Sequence, residues 1–219
     1  MRTKLFLIIG AGRFGSAVAE TLDAAGHEVV VVDRDEDAIT RLMTDVTQAV
    51  VLDATEERSL RELGASNFDA VVVAIGDDLE ASVLATAAAK DAGAQHLVAK
   101  AQTALAERIL RRVGADEVVR PERDMGVRLA QHLMTPSLVD AFALGDAYAV
   151  MEVEATAALA GRLDELRLPN RFGVQVIAIG RAGDLSVSPG AEEVVAAGDR
   201  LVVVGANAAI ERLRAHLAG

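Results

Sequence analysis

The sequence predicts an α/β protein, a doubly wound parallel sheet followed by a small α+β module. Three observations lead there. Short apolar runs alternate six times with helix-length segments over residues 1–120, the signature of βα repeats on one parallel sheet. The first run enters a glycine-rich turn without an intervening residue. After Pro121 the alternation stops, and shorter, mixed elements take over.

Leu5, Phe6, Leu7, Ile8 and Ile9 form an unbroken apolar run, as expected of a parallel strand covered on both faces. Gly10, Gly12 and Gly15 then stand as G-x-G-x-x-G, with Ala11, Arg13 and Phe14 between them. In this Rossmann-like fingerprint the first glycine allows a tight turn, the second lets a pyrophosphate approach the backbone, and the third lets the helix pack on the strand. The helix spans residues 13–25 and is stopped by Gly26; a second apolar run, 29–32, ends on Asp33, 18 residues after Gly15. Strand, turn, helix, strand and terminal acid at this spacing predict an adenine-nucleotide site. Phosphates would meet the free N–H groups and positive dipole end of the helix, and Asp33 would accept from ribose hydroxyls. Arg13 adds a guanidinium at the helix entrance, placed to fork onto an extra phosphate. The alternative is a solvated arginine.

The remaining repeats follow in order. A helix over 35–43 leads to strand 49–52 and to Asp53-Ala54-Thr55; helix 56–63 stops at Gly64. Strand 70–75 ends on Gly76-Asp77-Asp78, with Asp78 as N-cap of helix 79–92, which Gly93 ends. Strand 96–99 runs into Lys100-Ala101-Gln102, helix 104–113 stops at Gly114, and 117–120 make a short sixth strand. Ligands of such sheets lie outside the carboxyl ends of the strands. The loop 10–15, Asp33, Asp53 to Thr55, Ala74, Ile75, Gly76 and Lys100 are therefore expected to share one crevice.

From Pro121 the reading is a helix over 122–134 with apolar Met125, Leu129, Leu133 and Met134, a break at Thr135-Pro136, and a second helical segment over 138–144. Such a helix–break–helix suits an arm that crosses onto a partner subunit; the alternative is a crossover helix packed on its own sheet. Residues 145–219 read as the α+β module: strands over 148–154, 174–179, 185–187 and 200–204, a helical piece over 162–168 ended by Pro169, and a final helix over 208–218. The expected domains are thus 1–120, a connecting 121–144, and 145–219.

Composition narrows the function. The 219 residues are 52% hydrophobic and carry a net charge of −11, with 10 acidic against 7 basic residues from Gly145 onward and 23 against 15 before it. An acidic surface on both parts excludes nucleic acid and anionic membranes as partners. The absence of cysteine removes disulfides, thiolate metal sites and cysteine nucleophiles. With neither a signal peptide nor ~20 consecutive apolar residues, a cytoplasmic, soluble protein is expected.

The nucleotide loop, Lys100-Ala101-Gln102, and the segment from Gly114-Ala115-Asp116-Glu117 through Arg120-Pro121-Glu122-Arg123-Asp124-Met125-Gly126 closely resemble the cytoplasmic regulatory subunits of Ktr-type potassium uptake systems, relatives of the Trk regulatory proteins. The motifs G-R-F-G, D-A-T, A-I-G, K-A-Q and P-E-R-D-M-G occur in that order, and the resemblance covers essentially the full length. It implies an N-terminal RCK domain and a C-terminal RCK module, dimers assembled into an octameric ring, and a membrane potassium-translocating subunit as partner, which keeps the protein on the inner face of the membrane. ATP would activate and ADP inactivate. Gly10, Gly12 and Gly15 would hold the phosphates, Asp33 the ribose, and Asp53, Ala54 and Thr55 with Ala74, Ile75 and Gly76 the adenosine end; Arg34 belongs to the same binding set. Arg13 would approach the γ-phosphate and Lys100 line the same crevice. Glu122 would coordinate a divalent cation or Na+ near ATP; its alternative is a helix-start glutamate favoured by the dipole. Some relatives bind cyclic di-AMP in the C-terminal module through an arginine ahead of a Y-G or F-G pair; Leu168-Pro169-Asn170-Arg171-Phe172-Gly173 has Pro169 at the aligned position and Arg171 as the alternative, which leaves that ligand open and unsupported.

The competing reading is a small NAD(P)-dependent oxidoreductase, since one nucleotide domain serves both functions. Such an enzyme needs a group to manage a proton, and none of His27, His96 and His132 falls at the carboxyl end of an expected strand.

Overall fold

The computed structural model describes residues 2–134 and 138–217. The chain falls into two compact units, Met1–Asp124 and Met125–Gly219.

The first unit contains β1 (Leu5–Ile9), α1 (Arg13–Ala24), β2 (Glu28–Asp33), α2 (Glu36–Leu42), β3 (Gln48–Val51), α3 (Glu57–Leu63), β4 (Ala70–Val73), α4 (Leu79–Asp91), β5 (Leu97–Lys100), α5 (Ala104–Arg112) and β6 (Glu117–Val119). The six strands form one sheet in the order β3-β2-β1-β4-β5-β6, parallel throughout. This is the doubly wound, Rossmann-like sheet expected from the βα repeats. The wholly apolar strands have a simple cause, because successive side chains point to opposite faces and both faces are covered. Leu7, Ile9, Val30, Val32, Val71 and Val73 pack in one core layer, while Ile8, Val29, Val31 and Val72 pack in the other. Burying each such side chain contributes on the order of 2 kcal/mol. Short polar residues then start the helices: Asp35 caps α2 through Asp37 and Ala38, Asp78 caps α4 through Ala81 at 2.9 Å, and Thr103 caps α5 through Ala106 at 3.1 Å. The order reverses at β1, which lies between β2 and β4, so the carboxyl ends of β1 and β4 flank the crevice where such sheets take ligands.

Helix α6 (Pro121–Met134) follows, starting on a proline that needs no N–H there. None of its residues is buried, and Met125, Leu129, Leu133 and Met134 are all exposed.

The second unit comprises β7 (Leu138–Leu144), β8 (Tyr148–Glu154), β9 (Gly161–Arg162), α7 (Leu163–Leu166), α8 (Leu168–Phe172), β10 (Val174–Arg181), β11 (Asp184–Val187), β12 (Val194–Val195), β13 (Arg200–Ala206) and α9 (Asn207–Leu217). Its antiparallel sheet runs β11-β10-β13-β8-β7, beside a two-stranded β12-β9 pair. Two expectations are corrected here. Residues 138–144 are a strand, not a helix: Gly145, at φ +64°, turns the chain so that Leu138–Leu144 lies antiparallel on β8, and seven residues of open strand edge outweigh a short helical pattern. The Thr135-Pro136 break lies outside the described residues. Pro169 does not end a helix but sits in the first turn of α8, where a proline is tolerated, and Arg167, at φ +47°, separates α7 from α8.

The core of this unit joins Met151, Val153, Val174, Leu201 and Val203 to Ile210 and Leu213 of α9. Its most tightly held charge is Asp199, buried at the start of β13. It accepts from Arg181 Nε at 3.0 Å and Nη2 at 2.6 Å, and from the Ala196 amide at 2.9 Å, while the same Nη2 donates to the Val194 carbonyl at 2.9 Å. The Arg181 bonds first, and the Ala196 amide second, hold its carboxyl well down, to about 2. A folded value below the unfolded one means stability that is full above the ordinary carboxylate range and is lost as pH falls through the folded value. Asp199→Asn is therefore expected to lower stability at neutral pH by roughly 1–2 kcal/mol, discounted for the exposed Arg181, and to flatten the acid limb of the stability curve between about pH 4 and 2. Denaturant titrations at neutral and acid pH check this; an unchanged acid limb would show that the pair is not an anchor.

Candidate nucleotide site

The glycine loop is built by close contact. Gly10 takes φ +108°, which only glycine adopts without strain, and its N–H donates to the Val32 carbonyl at 2.8 Å, tying the loop to β2. A Cβ on Gly15 would overlap the Gly10 carbonyl oxygen and stand 3.1 Å from the Ala74 Cβ, so the missing side chain is what seats α1 on the ends of β1 and β4. Gly12, the residue before α1, has open space where a Cβ would stand; a side chain there would fill the approach to the loop amides. The first turn of α1 carries no acidic residue, leaving its positive dipole end uncompensated.

A crevice of about 240 Å³ lies along this loop. Gly10, Gly12, Asp33, Arg34, Asp53, Ala54, Thr55, Ala74, Ile75 and Gly76 all line it, as the strand ends require. Asp33 Oδ2 accepts from the Ala11 amide at 2.7 Å and Oδ1 from the Asp35 amide at 2.9 Å, which fixes the carboxylate at the β2 end with lone pairs to spare for hydroxyl donors. Asp53 accepts from the Thr55 hydroxyl at 2.7 Å and amide at 2.9 Å, and these bonds hold its carboxyl below the usual range. Arg34 reaches across to Asp78 at 3.8 Å, on an exposed rim.

Arg13, Phe14, Lys100 and Glu122 sit together at the α1 end rather than in this crevice. Lys100 Nζ lies 2.7 Å from Glu122 Oε1 and 5.7 Å from the Phe14 ring centroid; its side chain is 10% exposed, that of Glu122 62%. The Lys100 hydrogen bond is the main cause that lowers the Glu122 carboxyl, and the charge of exposed Arg13 adds to it. Lys100 lines an adjoining pocket of about 110 Å³ with Ser82, Gln102 and Thr103, and this pocket shares Ile75, Gly76 and Asp77 with the crevice. For a cation, a single chain offers the Glu122 carboxylate already engaged by an ammonium. No group of three or more His, Asp or Glu among the described residues is placed to hold an ion, so these residues alone do not fit a cation site.

Sequence reasoning passed over Asp77, Ser82 and Gln102 as site residues. Gln102 Nε2 donates to Asp77 Oδ1 at 2.9 Å across the ends of β4 and β5. The position of both after strand ends was the available signal. In the second unit a cavity of about 580 Å³ is lined by Arg167, Pro169, Asn170, Gln175 and neighbours. Arg171 is not among them: its guanidinium donates to the Leu166 carbonyl at 3.3 Å and lies 4.9 Å from the Phe172 ring centroid.

Gly15→Ala is expected to force α1 off the strand ends, at a cost of about 1–3 kcal/mol, and to remove nucleotide binding. Chemical denaturation and calorimetry of the full chain check this. An unchanged midpoint with intact binding would mean that α1 does not need this contact.

Comparison with known proteins places this geometry. Residues 6–121 match the TrkA-N domain and 149–218 the TrkA-C domain. The chain is 38% identical to Ktr system potassium uptake protein C of Bacillus subtilis over 95% of either chain, and 36% identical to Ktr system potassium uptake protein A of the same organism over 97% of this chain and 96% of that one. Ktr system potassium uptake protein A of Vibrio alginolyticus is 37% identical over 92% of each. Among solved structures, the GsuK channel bound to NAD superposes with a TM-score of 0.71 at 19% identity, covering 100% of this chain and 40% of that one. The GsuK RCK domain superposes at 0.68 and 20% identity, covering 100% and 48%; both likenesses concern the fold. The chain thus spans less than half of these two solved chains, but nearly the whole of its Ktr relatives. With a Rossmann-like RCK domain, a small C-terminal sheet domain and this identity over its length, the chain belongs to the family of Ktr and Trk potassium-uptake regulatory subunits.

Proposed function

We propose that the chain is a non-catalytic, nucleotide-sensing subunit that gates a membrane potassium-translocating partner, with ATP activating and ADP inactivating. The observation that carries this reading is the charge beyond the glycine loop. Arg13 and Lys100 both lie beside Glu122 at the dipole end of α1, so two cations stand next to the loop in a chain of net charge −11. A diphosphate already satisfies loop amides; a third phosphate is the group such a cluster can distinguish. Asp33 would hold the ribose, and Asp53 to Thr55 with Ala74 to Gly76 the adenosine end.

In this reading residues 1–120 sense the nucleotide and 121–144 connect to the C-terminal module of 145–219, with β7 of that connection adding the edge strand of the module's sheet. The exposed apolar residues of α6 support a contact with a second copy, hence homo-oligomers of the ring type. No helix among the described residues is long and apolar enough to cross a membrane, which suits a cytoplasmic subunit held at the membrane by its partner. A divalent cation or Na+ at Glu122 belongs to the reading only with phosphate oxygens or a second copy completing its shell. The oxidoreductase alternative has less support: no histidine, lysine, cysteine or tyrosine lines the main crevice among the described residues.

A ~100-fold preference of the active state for ATP over ADP supplies about 2.7 kcal/mol per site, so a sharp switch needs several coupled sites. Arg13→Ala is expected to weaken ATP roughly tenfold more than ADP, because a charge-assisted bond to the third phosphate has no counterpart in ADP. Calorimetric titration of both nucleotides tests this. An equal loss for both would show that Arg13 only supports the loop.

A further inference from the structure

Arg34 is the one cation among the described residues that line the main crevice, and four carboxylates, Asp33, Asp53, Asp77 and Asp78, share that lining with it. The fold accounts for the carboxylates. Asp33 accepts from the Ala11 and Asp35 amides, Asp53 from Thr55, Asp77 from Gln102, and Asp78 caps α4 through Oδ1. It does not account for the arginine. The Arg34 side chain is 71% exposed, makes no hydrogen bond among the described residues, and has one ion pair, to Asp78 Oδ2 at 3.8 Å, which is too long for a hydrogen bond. Such a pair holds a long side chain only weakly. The stem is fixed all the same: the Asp33 carbonyl accepts from the Leu52 amide at 2.9 Å and the Asp33 carboxylate from the Asp35 amide, so Arg34 leaves a rigid corner at the end of β2. The Asp53 carboxyl, lowered chiefly by Thr55, also feels the charge of Arg34. A free guanidinium on a fixed stem thus stands at the crevice mouth, between the end of β3 and the start of α4.

Resting on the nucleotide reading above, we propose that Arg34 is a strap for the base: its guanidinium lies over the purine ring of the bound nucleotide, and Asp78 holds the far end. A guanidinium is planar and weakly hydrated, so it stacks on an aromatic face. The same crevice supplies apolar Val32, Leu52, Ala54 and Ile75, which suit a flat base. The other use of an arginine at this place in such a sheet is to receive a 2′-phosphate on the ribose. Charge decides against it, because Asp33 at the ribose end and three further carboxylates would repel that group, whereas the base is neutral. The strap therefore reads a part that ATP, ADP and AMP share. It strengthens all three by one factor and leaves their discrimination to the phosphate end.

Calorimetry of the full chain with ATP, ADP and AMP tests this. Arg34→Ala, at an exposed side chain without hydrogen bonds, should fold normally and weaken all three nucleotides by the same factor, roughly fivefold, with little change between low and high salt. Asp78→Asn keeps an N-cap residue and removes the charge, so it should cost AMP affinity in the chain that has Arg34 but not in Arg34→Ala. Losses that grow from AMP to ATP, or that fade at high salt, would make Arg34 a charge acting on phosphate and overturn the strap. Tighter binding of adenosine 2′,5′-bisphosphate than of AMP, with the gain removed by Arg34→Ala, would overturn it in favour of a 2′-phosphate. Unchanged affinities in Arg34→Ala, or additive effects of the two substitutions, would overturn it while leaving the crevice intact. No heat from any nucleotide with the unaltered chain would overturn the nucleotide reading itself, and the strap with it.

Discussion

The seating of α1 on the strand ends is the constraint on which the rest of the molecule depends. The absence of a single side chain, at Gly15, lets the helix approach the Gly10 carbonyl and Ala74 closely enough to point its N-terminus into the reversal between β1 and β4. That contact is steric, and its consequence is electrostatic. Loop amides and a helix dipole, fixed by packing, form an anion-binding end that needs no rearrangement to act. Asp33, tied to the Ala11 amide, locks the same loop from the neighbouring strand, so shape and charge are set by one small set of backbone contacts.

The proposed sensing rests on charge placement. An acidic chain repels phosphate over most of its surface, so cations next to the loop act against a negative background. The Lys100–Glu122 pair matters for this reason. Since Glu122 lies in the first turn of α6, electrostatics at the nucleotide end and the exposed apolar residues of the same helix belong to one element.

The first unit was legible in the sequence because its signals are local and mutually consistent. Unbroken runs such as Leu5–Ile9, stops at Gly64 and Gly93, and the cap at Asp78 each report a short-range cause. The second unit was less so. Leu138–Leu144 has an apolar pattern compatible with either state, and only the long-range pairing with Tyr148–Glu154 decides for strand. Pro169 looked like a terminator because its place in a first turn depends on the left-handed Arg167 before it, which no local rule predicts for an arginine. In the site, the crevice lining followed from strand ends. The Lys100–Glu122 pair did not, because it joins two elements 22 residues apart whose approach is set by the sheet.

The central claim is that the third phosphate of ATP alters the assembly through the charges at the α1 end. Small-angle scattering of the full chain, saturated with ATP and then with ADP, tests it most directly. The account predicts an oligomeric mass in both states and distinguishable profiles, with the difference abolished when Arg13 is replaced. Superimposable profiles from the unaltered chain, or a monomeric mass in both states, would contradict it.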